Sequence, residues 1–432
     1  MLLKKESGLN ENSYYEASVT RPPARPVLHG RVTADIGVVG GGYAGVSVAL
    51  ELAERGYSVV LLEARSIGWG ASGRNGGQVI VGYAGQAAIE RQLSPADAKR
   101  AWDISVEAME LLQHRIGKHA IACDYTPGYM TLATTARKAR SLNGWIEHLT
   151  RIYNYPVQAI PADDIGNWIA SEQFHGGAYD RRSGHLHPLK YCLGMADAAR
   201  AAGVQIYENS PVIEVERGAQ PVARTENGEL ACRFMVLAGN VYLDQFGGAI
   251  APELMRRIIP VGTYIIATEP MPKERADALL RHRAAVSDTN FVLDYFRVTA
   301  DNRLLFGGAD AFSGATPPNL VEHVRERMLA VFPQLSDLSV PYAWGGFVDA
   351  TINHAPDFGR IGNNIYYLQG FSGHGLALAG MAGKLVAEAV AGQAERFDLL
   401  TRIRHVPFPR GAWIRKPAVA LGVMYYKLRD LL

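Results

Sequence analysis

The sequence predicts an α/β fold (α+β overall), in which a Rossmann-like domain carries an inserted antiparallel-sheet domain. The first indication is a strand, a glycine turn, a helix and a second strand in succession over residues 34–63, because this order builds the βαβ unit of a parallel sheet. Two further buried apolar strands follow much later, at 234–237 and 365–368. Between them, residues 291–308 show the alternation and turn residues of an antiparallel hairpin. The parallel sheet is therefore expected to be assembled from separated pieces of the chain.

The glycine turn of the first unit has the spacing G-x-G-x-x-G, formed by Gly40, Gly42 and Gly45. The first glycine permits a tight turn, the second lets the backbone approach a pyrophosphate, and the third lets the helix pack closely on the strand. Glu63 lies 63 − 45 = 18 residues beyond the last glycine, near the ~20 expected of an acid that accepts a ribose hydroxyl. The unit predicts a dinucleotide site, against the alternative of an incidental glycine turn, and the carboxylate disfavours NADP.

A second glycine-rich segment, IGWGASGRNGGQ at residues 67–78, distinguishes between dinucleotides. An NAD domain would continue into an ordinary helix here, whereas a bulky flavin needs backbone that runs close along it, and glycine permits this. The segment therefore favours FAD, with Arg74 serving the phosphates and Asn75 the flavin edge. The alternative is a flexible surface loop.

Composition limits the remaining possibilities. A net charge of +2 with 20% charged residues describes an ordinary globular protein and gives no reason to expect a nucleic acid as partner. The three cysteines, Cys123, Cys192 and Cys232, are far apart and form no C-x-x-C pair, so neither a disulfide framework nor a metal site is expected. The sequence has no signal-peptide pattern and no run of ~18 apolar residues. We therefore expect a cytoplasmic protein without a membrane span.

The order of these patterns suggests how the chain is divided. Residues 1–33 are expected to form an N-terminal arm, which Pro22, Pro23 and Pro26 keep extended. The final stretch, 396–432, is interpreted as a docking segment rather than a membrane-surface helix. The remaining boundaries are predicted at 34–115, 180–255 and 345–395 for the nucleotide-binding domain, and at 116–179 and 256–344 for the antiparallel domain.

Histidines that could take part in chemistry are few. His374 stands in the glycine turn 369–375 rather than on a helix face, which favours a functional role, with a structural hydrogen bond as the alternative. His185 and His187 fall in a stretch, 178–188, that we interpret as a polar loop. They could reach a substrate, although histidines in loops are mostly solvated.

Two features of the antiparallel domain follow from its residue pattern. Strand alternation places Tyr295 and Arg297 on one face of a strand and Phe296 on the other. The first pair is the candidate for facing the flavin, although alternation does not say which face is inward. Residues 124–134 are predicted to form strands joined by a turn.

Longer motifs make the chain similar to a known family. They include VVGGGYAG (38–45), GASGRNGGQ (70–78), LDYFRVTADNRLLFGG (293–308) and QGFSGHG (369–375), and shorter matches cover nearly the whole length. With these motifs the chain resembles the D-amino-acid oxidase superfamily of flavoproteins, in its sarcosine- and glycine-oxidase branch. The resemblance implies that FAD lies extended, with its adenosine at the first βαβ unit and its isoalloxazine ring between the two domains.

The same resemblance implies which residues hold the cofactor. They are Gly40, Gly42, Tyr43, Ala44, Gly45, Glu63, Ala64 and Arg65 at the adenosine and pyrophosphate, Gly70, Ala71, Ser72, Arg74, Asn75, Gly76, Gly77 and Gln78 along the ribityl chain and flavin, Val212 at the adenine, Ala238 and Gly239 near the pyrophosphate, Trp344 beside the cofactor, and Gly373, His374, Gly375 and Leu376 at the pyrimidine end of the ring. Some relatives attach FAD covalently. Because residues 344–355 contain no cysteine and residues 71–77 no histidine, noncovalent FAD is expected.

The implied activity is that of an FAD-dependent amine oxidase of polyamine catabolism. The expected reaction converts γ-glutamylputrescine into γ-glutamyl-aminobutyraldehyde, with release of ammonia and hydrogen peroxide and with molecular oxygen as electron acceptor. His374, Tyr295 and Arg297 are the expected catalytic residues. Arg297 would pair with the substrate carboxylate or, alternatively, with Asp294 or Asp301 in its own hairpin. Two other classes stay open: a dehydrogenase that passes electrons to a quinone or carrier, and a non-catalytic flavin-binding subunit.

Overall fold

The computed structural model describes residues 7–248, 250–311 and 319–409, and it contains two sheets that both border a central cavity. In chain order, the strands are β1 (Gly30–Val39), β2 (Val59–Leu62), β3 (Gln78–Val79), β4 (Thr126–Leu132), β5 (Gln158–Ile160), β6 (Gly177–His185), β7 (Gln205–Tyr207), β8 (Glu214–Glu216), β9 (Val222–Arg224), β10 (Gly228–Leu237), β11 (Ile259–Ala267), β12 (Ala285–Asp288), β13 (Tyr295–Val298), β14 (Leu304–Ala311), β15 (Tyr342–Ala350), β16 (Asp357–Ile361) and β17 (Ile365–Gln369).

The α-helices cover the first sheet and support the second. They are α1 (Tyr14–Ala17), α2 (Tyr43–Glu54), α3 (Gln86–Gln92), α4 (Pro95–Lys118), α5 (Ala136–Tyr153), α6 (Pro188–Ala201), α7 (Pro252–Met255), α8 (Lys273–Leu279), α9 (Leu320–Val331), α10 (Gly375–Val390) and α11 (Glu395–Thr401). The start of α4 shows the local chemistry: Pro95 occupies the first turn, and the Ser94 side chain accepts a hydrogen bond from Asp97 N. This is a favourable N-cap, because it satisfies one of the free N–H groups at the helix end.

The first sheet has the strand order β16-β17-β10-β1-β2-β7, and the hairpin of β8 and β9 extends from β10. β1 pairs in parallel with both neighbours, so that Val38 lies opposite Val236 and Leu61. β17 joins β10 in parallel, and β16 closes this edge in the antiparallel direction. The sheet is thus assembled from distant pieces of the chain, and the predicted α/β class with a Rossmann-like parallel sheet is confirmed.

Helices α2 and α10 pack closely against each other on this sheet, and α4 and α6 adjoin them. Small residues make the close approach possible. Ser47 Oγ donates to Gly380 O over 2.5 Å, and a Cβ at Gly383 would fall within van der Waals overlap of Ser47. Because each helix follows a glycine turn that borders the cavity, this pairing brings two helix N-termini to the same site.

The second sheet has the order β15-β11-β14-β13-β12-β4-β6-β3, with β5 on β6, and only the β4–β12 pair is parallel among its described pairings. The outer face of this sheet packs into an apolar core. In this core the rings of Phe296 and Phe306 are stacked, with their centres 5.5 Å apart. Phe332 meets Phe296 edge-on, and α9 contributes Val324 and Met328. With Phe296 in this core, Tyr295 and Arg297 point to the opposite face of β13, as alternation predicts.

Several local predictions were wrong. Residues 124–134 form the single strand β4, which pairs with β6 and β12 rather than with a partner across a turn. The stretch 178–188 is mostly β6, because its small and hydroxyl residues fit a strand buried at both ends. The predicted boundary at 179/180 therefore cuts β6, and the one at 344/345 cuts β15, both in the second sheet. The division into two domains remains a proposal, with these two strands placed whole in the antiparallel domain. Of the predicted docking segment, residues 410–432 lie outside the described residues.

The N-terminal arm also differs from the predicted extended chain, because α1 carries the buried side chains of Tyr14 and Tyr15. We name residues 10–28 the N-terminal strap. At its start, Tyr14 OH donates to Asp301 Oδ1 over 2.6 Å, on the hairpin of the second sheet. At its end, Leu28 N donates to Ser210 Oγ over 2.9 Å, beside the first sheet. The strap therefore connects the two sheets.

Among the described helices, none is both long enough and apolar enough to cross a membrane.

Candidate functional site

The central cavity has a volume of about 580 Å³ and lies between the two sheets. Its walls come from the glycine turn after β1, the loop 69–78, the strands β13 and β15, and the start of α10. Most residues predicted to hold the cofactor line it. They are Gly40, Gly42, Tyr43, Ala44, Glu63, Ala64, Gly70, Ala71, Ser72, Arg74, Asn75, Gly76, Gln78, Val212, Ala238, Gly239, Gly373, His374, Gly375 and Leu376.

The three glycines of the first turn are explained by what surrounds them. Gly40 has φ +112°, and a Cβ there would lie 2.6 Å from the carbonyl oxygen of Ala238. A Cβ on Gly42 would lie 2.8 Å from Ser72 Oγ and would narrow the cavity itself. A Cβ on Gly45 would lie 1.9 Å from Gly40 O, so this glycine serves the packing of α2 on the turn and does not line the cavity. The turn 40–42 therefore presents bare backbone to the cavity.

Glu63 follows β2 and borders this end of the cavity. Its carboxylate accepts the backbone N–H of Gly41 over 2.6 Å and of Arg65 over 2.8 Å. Burial raises its pKa, while these N–H groups oppose the rise. Each carboxylate oxygen can accept a further hydrogen bond, so the geometry is compatible with the expected ribose contact.

Arg74 lines the cavity with a buried side chain. Its Nε donates to Trp69 O over 2.6 Å, and its guanidinium lies 4.3 Å from the centre of the Trp69 ring. Burial lowers its pKa. Its Nη2 is buried and has no hydrogen-bond partner among the described residues, a costly state for a charged donor. An acceptor on a bound group would satisfy this atom.

These features fit FAD. The turn at Gly42 leaves the space that a pyrophosphate needs, and Arg74 offers an unsatisfied donor. The N-cap residue of α10 makes no side-chain capping bond, whereas Tyr43 N, the first N–H of α2, donates to Ser72 Oγ over 3.0 Å. Helix N-termini favour negative charge. When bound, FAD would supply a two-electron acceptor at the end of the cavity bordered by the second sheet.

Four residues predicted to contact the cofactor lie outside the cavity lining: Gly45, Arg65, Gly77 and Trp344. Gly77 has φ +78°, and a Cβ there would meet Leu186 O at 2.2 Å. Trp344 is buried behind the loop and donates from Nε1 to Arg74 O over 2.9 Å. Arg65 places its guanidinium near the Trp69 ring. Gly77, Trp344 and Arg65 thus support the loop 69–78, which we name the cofactor loop, whereas Gly45 serves the packing of α2.

Asn75 also works mainly within its loop, although it borders the cavity. Its Nδ2 donates to Ala71 O over 2.9 Å, and its Oδ1 accepts Gly77 N over 2.8 Å. The side chain thus fixes the turn 71–77, whereas the sequence had suggested a direct contact with the flavin edge. A short polar side chain that bonds nearby backbone in this way is typical of tight turns.

We give the name substrate pocket to the part of the cavity wall formed by Gln78, Ile80, Ala84, Tyr129, Ser287, Asn290, Phe291, Leu293, Tyr295, His354 and His374. Its walls are aromatic and aliphatic, and none of these lining residues is a lysine, arginine, aspartate or glutamate. The charged residues of the cavity lining, Glu63, Arg74 and Asp349, lie outside this set. Two glycines make room for the Tyr295 ring, because a Cβ on Gly307 or on Gly76 would overlap it. The predicted position of Tyr295 at the cavity is thereby consistent with the structure.

Several polar groups of the substrate pocket are engaged by the protein. Asn290 donates from Nδ2 to Asp288 Oδ2 over 2.7 Å, and its Oδ1 accepts Thr134 Oγ1 over 2.9 Å. The hydroxyls of Tyr129 and Ser287 bond each other. These groups shape the wall and have limited capacity for a ligand.

His374 lines the cavity at the N-cap position of α10. Burial and the nearby His354 lower its pKa to about 4, so the imidazole is neutral at pH 7. Behind this turn, the buried carboxylate of Asp349 accepts Gly370 N, and burial raises its pKa to about 6. Asp349 therefore holds the start of the turn that carries His374.

Arg297 is corrected from a substrate contact to a buried support. It is 4% exposed and does not line the cavity. Its Nε donates to Gly76 O over 2.7 Å, and its Nη2 donates to Tyr15 OH over 3.1 Å. The guanidinium thus ties the cofactor loop to the N-terminal strap. The alternative pairing was also wrong, because Asp294 pairs with Arg327 and Asp301 with Arg303 and Tyr14.

His185 and His187 are buried and do not line the cavity, so the expectation of solvated loop residues near a substrate was wrong. His185 Nε2 bonds Arg283 O over 2.8 Å. His187 caps α6 by accepting Lys190 N at Nδ1, and its Nε2 bonds Ser18 Oγ over 3.0 Å. Burial and the Arg297 charge lower the pKa of each to about 3.

Residues that sequence reasoning missed are Tyr129, Ser287, Asn290 and His354. Each lines the substrate pocket as a single side chain from a different strand or turn. No spacing in the sequence relates them, since the sheet order brings them together. For His354 alone a weak indication existed, the turn-forming run T-I-N-H-A-P at 351–356.

Comparison with known proteins gives one family and several relatives. The family model described as DAO, FAD dependent oxidoreductase, matches residues 35–389. Gamma-glutamylputrescine oxidoreductase of Escherichia coli K12 is 40% identical over 422 residues, covering 98% of each chain. Probable oxidoreductase OrdL of Haemophilus influenzae is 39% identical, covering 95% of this chain and 94% of that one. The crystal structure of glycine oxidase from Geobacillus kaustophilus superposes with a TM-score of 0.70 at 22% identity, over 85% of this chain and 96% of that one. The last comparison bears on the fold alone.

Proposed function

The chain belongs to the DAO family of FAD-dependent oxidoreductases, and from this premise we propose that it oxidises γ-glutamylputrescine to γ-glutamyl-aminobutyraldehyde, releasing ammonia and passing two electrons to molecular oxygen to form hydrogen peroxide. The proposal also holds that FAD is bound noncovalently and that the enzyme acts in polyamine breakdown in the cytoplasm. Its first support is the 40% identity to gamma-glutamylputrescine oxidoreductase over nearly the whole chain.

The observation that carries the proposal is the neutral substrate pocket. Oxidation of an α-amino acid would bring a carboxylate beside the reacting carbon, and a buried carboxylate needs a cation or several donors. Among the described residues, those that line the substrate pocket include no lysine or arginine. An alkyl amine needs no such partner. Phe291, Leu293 and Tyr295 would cover its methylene chain.

The reaction requires little acid–base chemistry from the chain. Two electrons and two protons leave the CH–NH₂ unit, the resulting imine takes up water, and aldehyde and ammonia separate. The carbon is not acidic, so positioning a neutral amine is the main task. His374, neutral at pH 7, can accept a hydrogen bond from that amine. The N-terminus of α10 favours negative charge that develops on the bound group.

The cysteines support noncovalent attachment and a reducing compartment. Cys123, Cys192 and Cys232 are all free and buried, and none of them lines the cavity. A thioether to the flavin would need a cysteine at its edge. We therefore expect heat or acid to release free FAD, whereas flavin that precipitates with the polypeptide would contradict noncovalent binding.

The function is tested by aerobic peroxide formation against γ-glutamylputrescine, putrescine, sarcosine and glycine. We expect γ-glutamylputrescine to have the highest kcat/KM and glycine to be inert. Bleaching of the bound flavin by substrate under anaerobic conditions, followed by slow reoxidation in air, would instead indicate a dehydrogenase that uses another acceptor. If none of the amines bleaches the flavin, the chain is not an amine oxidoreductase.

A further inference from the structure

His354 lies in a turn after β15 that holds it in an unusual backbone conformation. Its φ is +58°, a left-handed value that residues other than glycine adopt rarely and at a cost in free energy. The turn is braced from both sides. Thr351 Oγ1 donates to Ala355 O over 2.8 Å, and Asn353 Oδ1 accepts Ala355 N over 3.2 Å. It also packs against the backbone of Gly85, where a Cβ would lie 2.4 Å from Ala355 N.

The imidazole of His354 projects into the central cavity. The residue lines the cavity and keeps an exposed side chain, yet protein surrounds it closely enough that desolvation lowers its pKa. Together with its place in the cavity lining, these properties fit a side chain that enters a partly enclosed space. It makes no hydrogen bond to any residue that the structure describes, and the same is true of the His374 ring.

Among the described residues, these two imidazoles are therefore hydrogen-bonding groups of the substrate pocket that the protein leaves uncommitted. Asn290 is held by Asp288 and Thr134, and the amide of Gln78 donates to Val286 O over 2.7 Å. His374 stands at the start of α10, beside the expected flavin ring. His354 belongs to another turn, which packs against Gly85, and is free to meet a second polar group of the substrate.

Resting on the function proposed above, we propose that His354 is a specificity residue whose imidazole hydrogen-bonds the amide at the acyl end of the substrate. A neutral imidazole offers one donor and one acceptor, which complements an amide. The free diamine has no acceptor at that end. Loss of His354 should therefore be felt by the glutamylated amine and hardly by putrescine.

The principal test is the holoenzyme variant His354→Asn. Asparagine is among the few residues that tolerate a left-handed φ, so the turn should be retained. Its side chain is shorter than that of histidine, so the hydrogen bond to the substrate is lost. We expect kcat/KM for γ-glutamylputrescine to fall about tenfold or more, mainly through KM, and kcat/KM for putrescine to stay within about twofold. His354→Gly, which also accepts this φ, should give the same pattern.

The matched control is Ile352→Thr, on the same turn. Ile352 is 47% exposed and does not line the cavity, so its replacement should leave both amines unaffected. Flavin content and melting temperature of all variants are measured beside the kinetics. Equal losses for both amines in His354→Asn, or no loss, would overturn the assignment.

A binding measurement separates this inference from the proposed function. γ-Glutamylpropylamide keeps the acyl end and lacks the terminal amine, so its dissociation constant reports acyl recognition without oxidation. We expect it to bind the wild type and to bind His354→Asn about tenfold more weakly. If the wild type oxidises no amine but this difference holds, the reaction is wrong and the site stands. If the analogue binds both proteins equally, His354 does not read the acyl end.

Discussion

The two ends of the central cavity are built on different principles. At the nucleotide end the turn that should meet the cofactor is glycine backbone, and the Glu63 carboxylate beside it is held by N–H groups. In the substrate pocket the walls are single side chains, which arrive from β4, β13 and the turns around Asn290 and His354. A backbone site needs a fixed local spacing, whereas a side-chain site needs only that the sheet order brings its members together. The first end should therefore be intolerant of added atoms, and the second open to exchange of individual side chains.

The largest expected effect comes from replacing Gly42, because a side chain would then stand in a turn that presents bare backbone to the cavity. Gly42→Val places atoms where even a Cβ would lie 2.8 Å from Ser72 Oγ, and it fills the space expected for the pyrophosphate. We expect FAD affinity to fall by about 3 kcal/mol or more, about a hundredfold or more, so that the purified protein is colourless. Absorbance near the flavin maximum and a fluorescence titration with FAD measure this.

Gly218→Val is the control for that variant. A Cβ on Gly218 meets nothing within 4 Å, and the residue is not part of the cavity lining. It should bind FAD as the wild type does. Full flavin content in Gly42→Val would show that the turn is not in contact with the cofactor.

The next effect concerns Arg297, whose guanidinium ties the cofactor loop at Gly76 to the N-terminal strap at Tyr15. Arg297→Met leaves the buried acceptor Gly76 O and the hydroxyl of Tyr15 without this partner, so we expect the free energy of unfolding to fall by about 2–4 kcal/mol. Both amines should lose activity in proportion, because the residue does not line the cavity. Urea unfolding and kcat/KM ratios measure the two effects.

Arg275→Met provides the comparison, since Arg275 forms an exposed ion pair with Asp337. Its loss should cost less than about 1 kcal/mol. A selective loss of γ-glutamylputrescine oxidation in Arg297→Met, with stability unchanged, would return Arg297 to the substrate.

A smaller effect is expected at Glu63, at the carboxylate of the nucleotide end. In the wild type the two carboxylate oxygens of Glu63 accept the backbone N–H groups of Gly41 and Arg65. In Glu63→Gln the side-chain NH₂ group must face one of these N–H groups, and the ribose contact weakens. FAD affinity should drop by about 1–3 kcal/mol, while kcat at saturating FAD changes little because the chemistry is remote. Asp35→Asn, a surface carboxylate outside the cavity lining, should change neither. A large loss of kcat in the fully reconstituted variant would contradict this assignment.

The smallest effect is a change in slope with pH. The folded-state pKa of His187 is lowered to about 3, below the unfolded value of about 6.5. Between these values the unfolded chain binds a proton that the folded chain does not, so this residue makes stability fall by about 1.4 kcal/mol per pH unit as the pH drops below 6.5. His187→Asn keeps an N-cap residue on α6 and should flatten that slope by about one proton.

Urea unfolding of both proteins at pH 7, 6 and 5 measures the difference. Burial also lowers the pKa of His185 to about 3. Part of the dependence of the unfolding free energy on pH should therefore remain in His187→Asn. Identical slopes in the two proteins would mean that His187 takes up its proton without unfolding.

How far the sequence could predict the site follows from the same contrast. Gly40, Gly42 and Glu63 lie within one βαβ unit, so their mutual positions follow from local geometry. Arg297 was placed on the correct face of its strand, but this face also borders the N-terminal strap. Because Tyr15 is 282 positions away in the sequence, no local pattern indicates that it would bond Arg297. The strand β6 was missed because its polar residues suit a loop, and its pairing with β3, β4 and β5 makes it a strand. The pocket residues around His354 are brought together by sheet order alone.

The N-terminal strap has a consequence for how the polypeptide is made. It leaves the ribosome long before two of its partners: Tyr14 bonds Asp301, 287 positions away, and Asn12 bonds Pro341 O, 329 positions away. Contacts of such separation form late, because loop closure must precede them. The Tyr14 and Tyr15 rings therefore stay exposed in the nascent chain while most of the protein is synthesised. A chaperone that binds exposed apolar segments would have the longest time to act on this one.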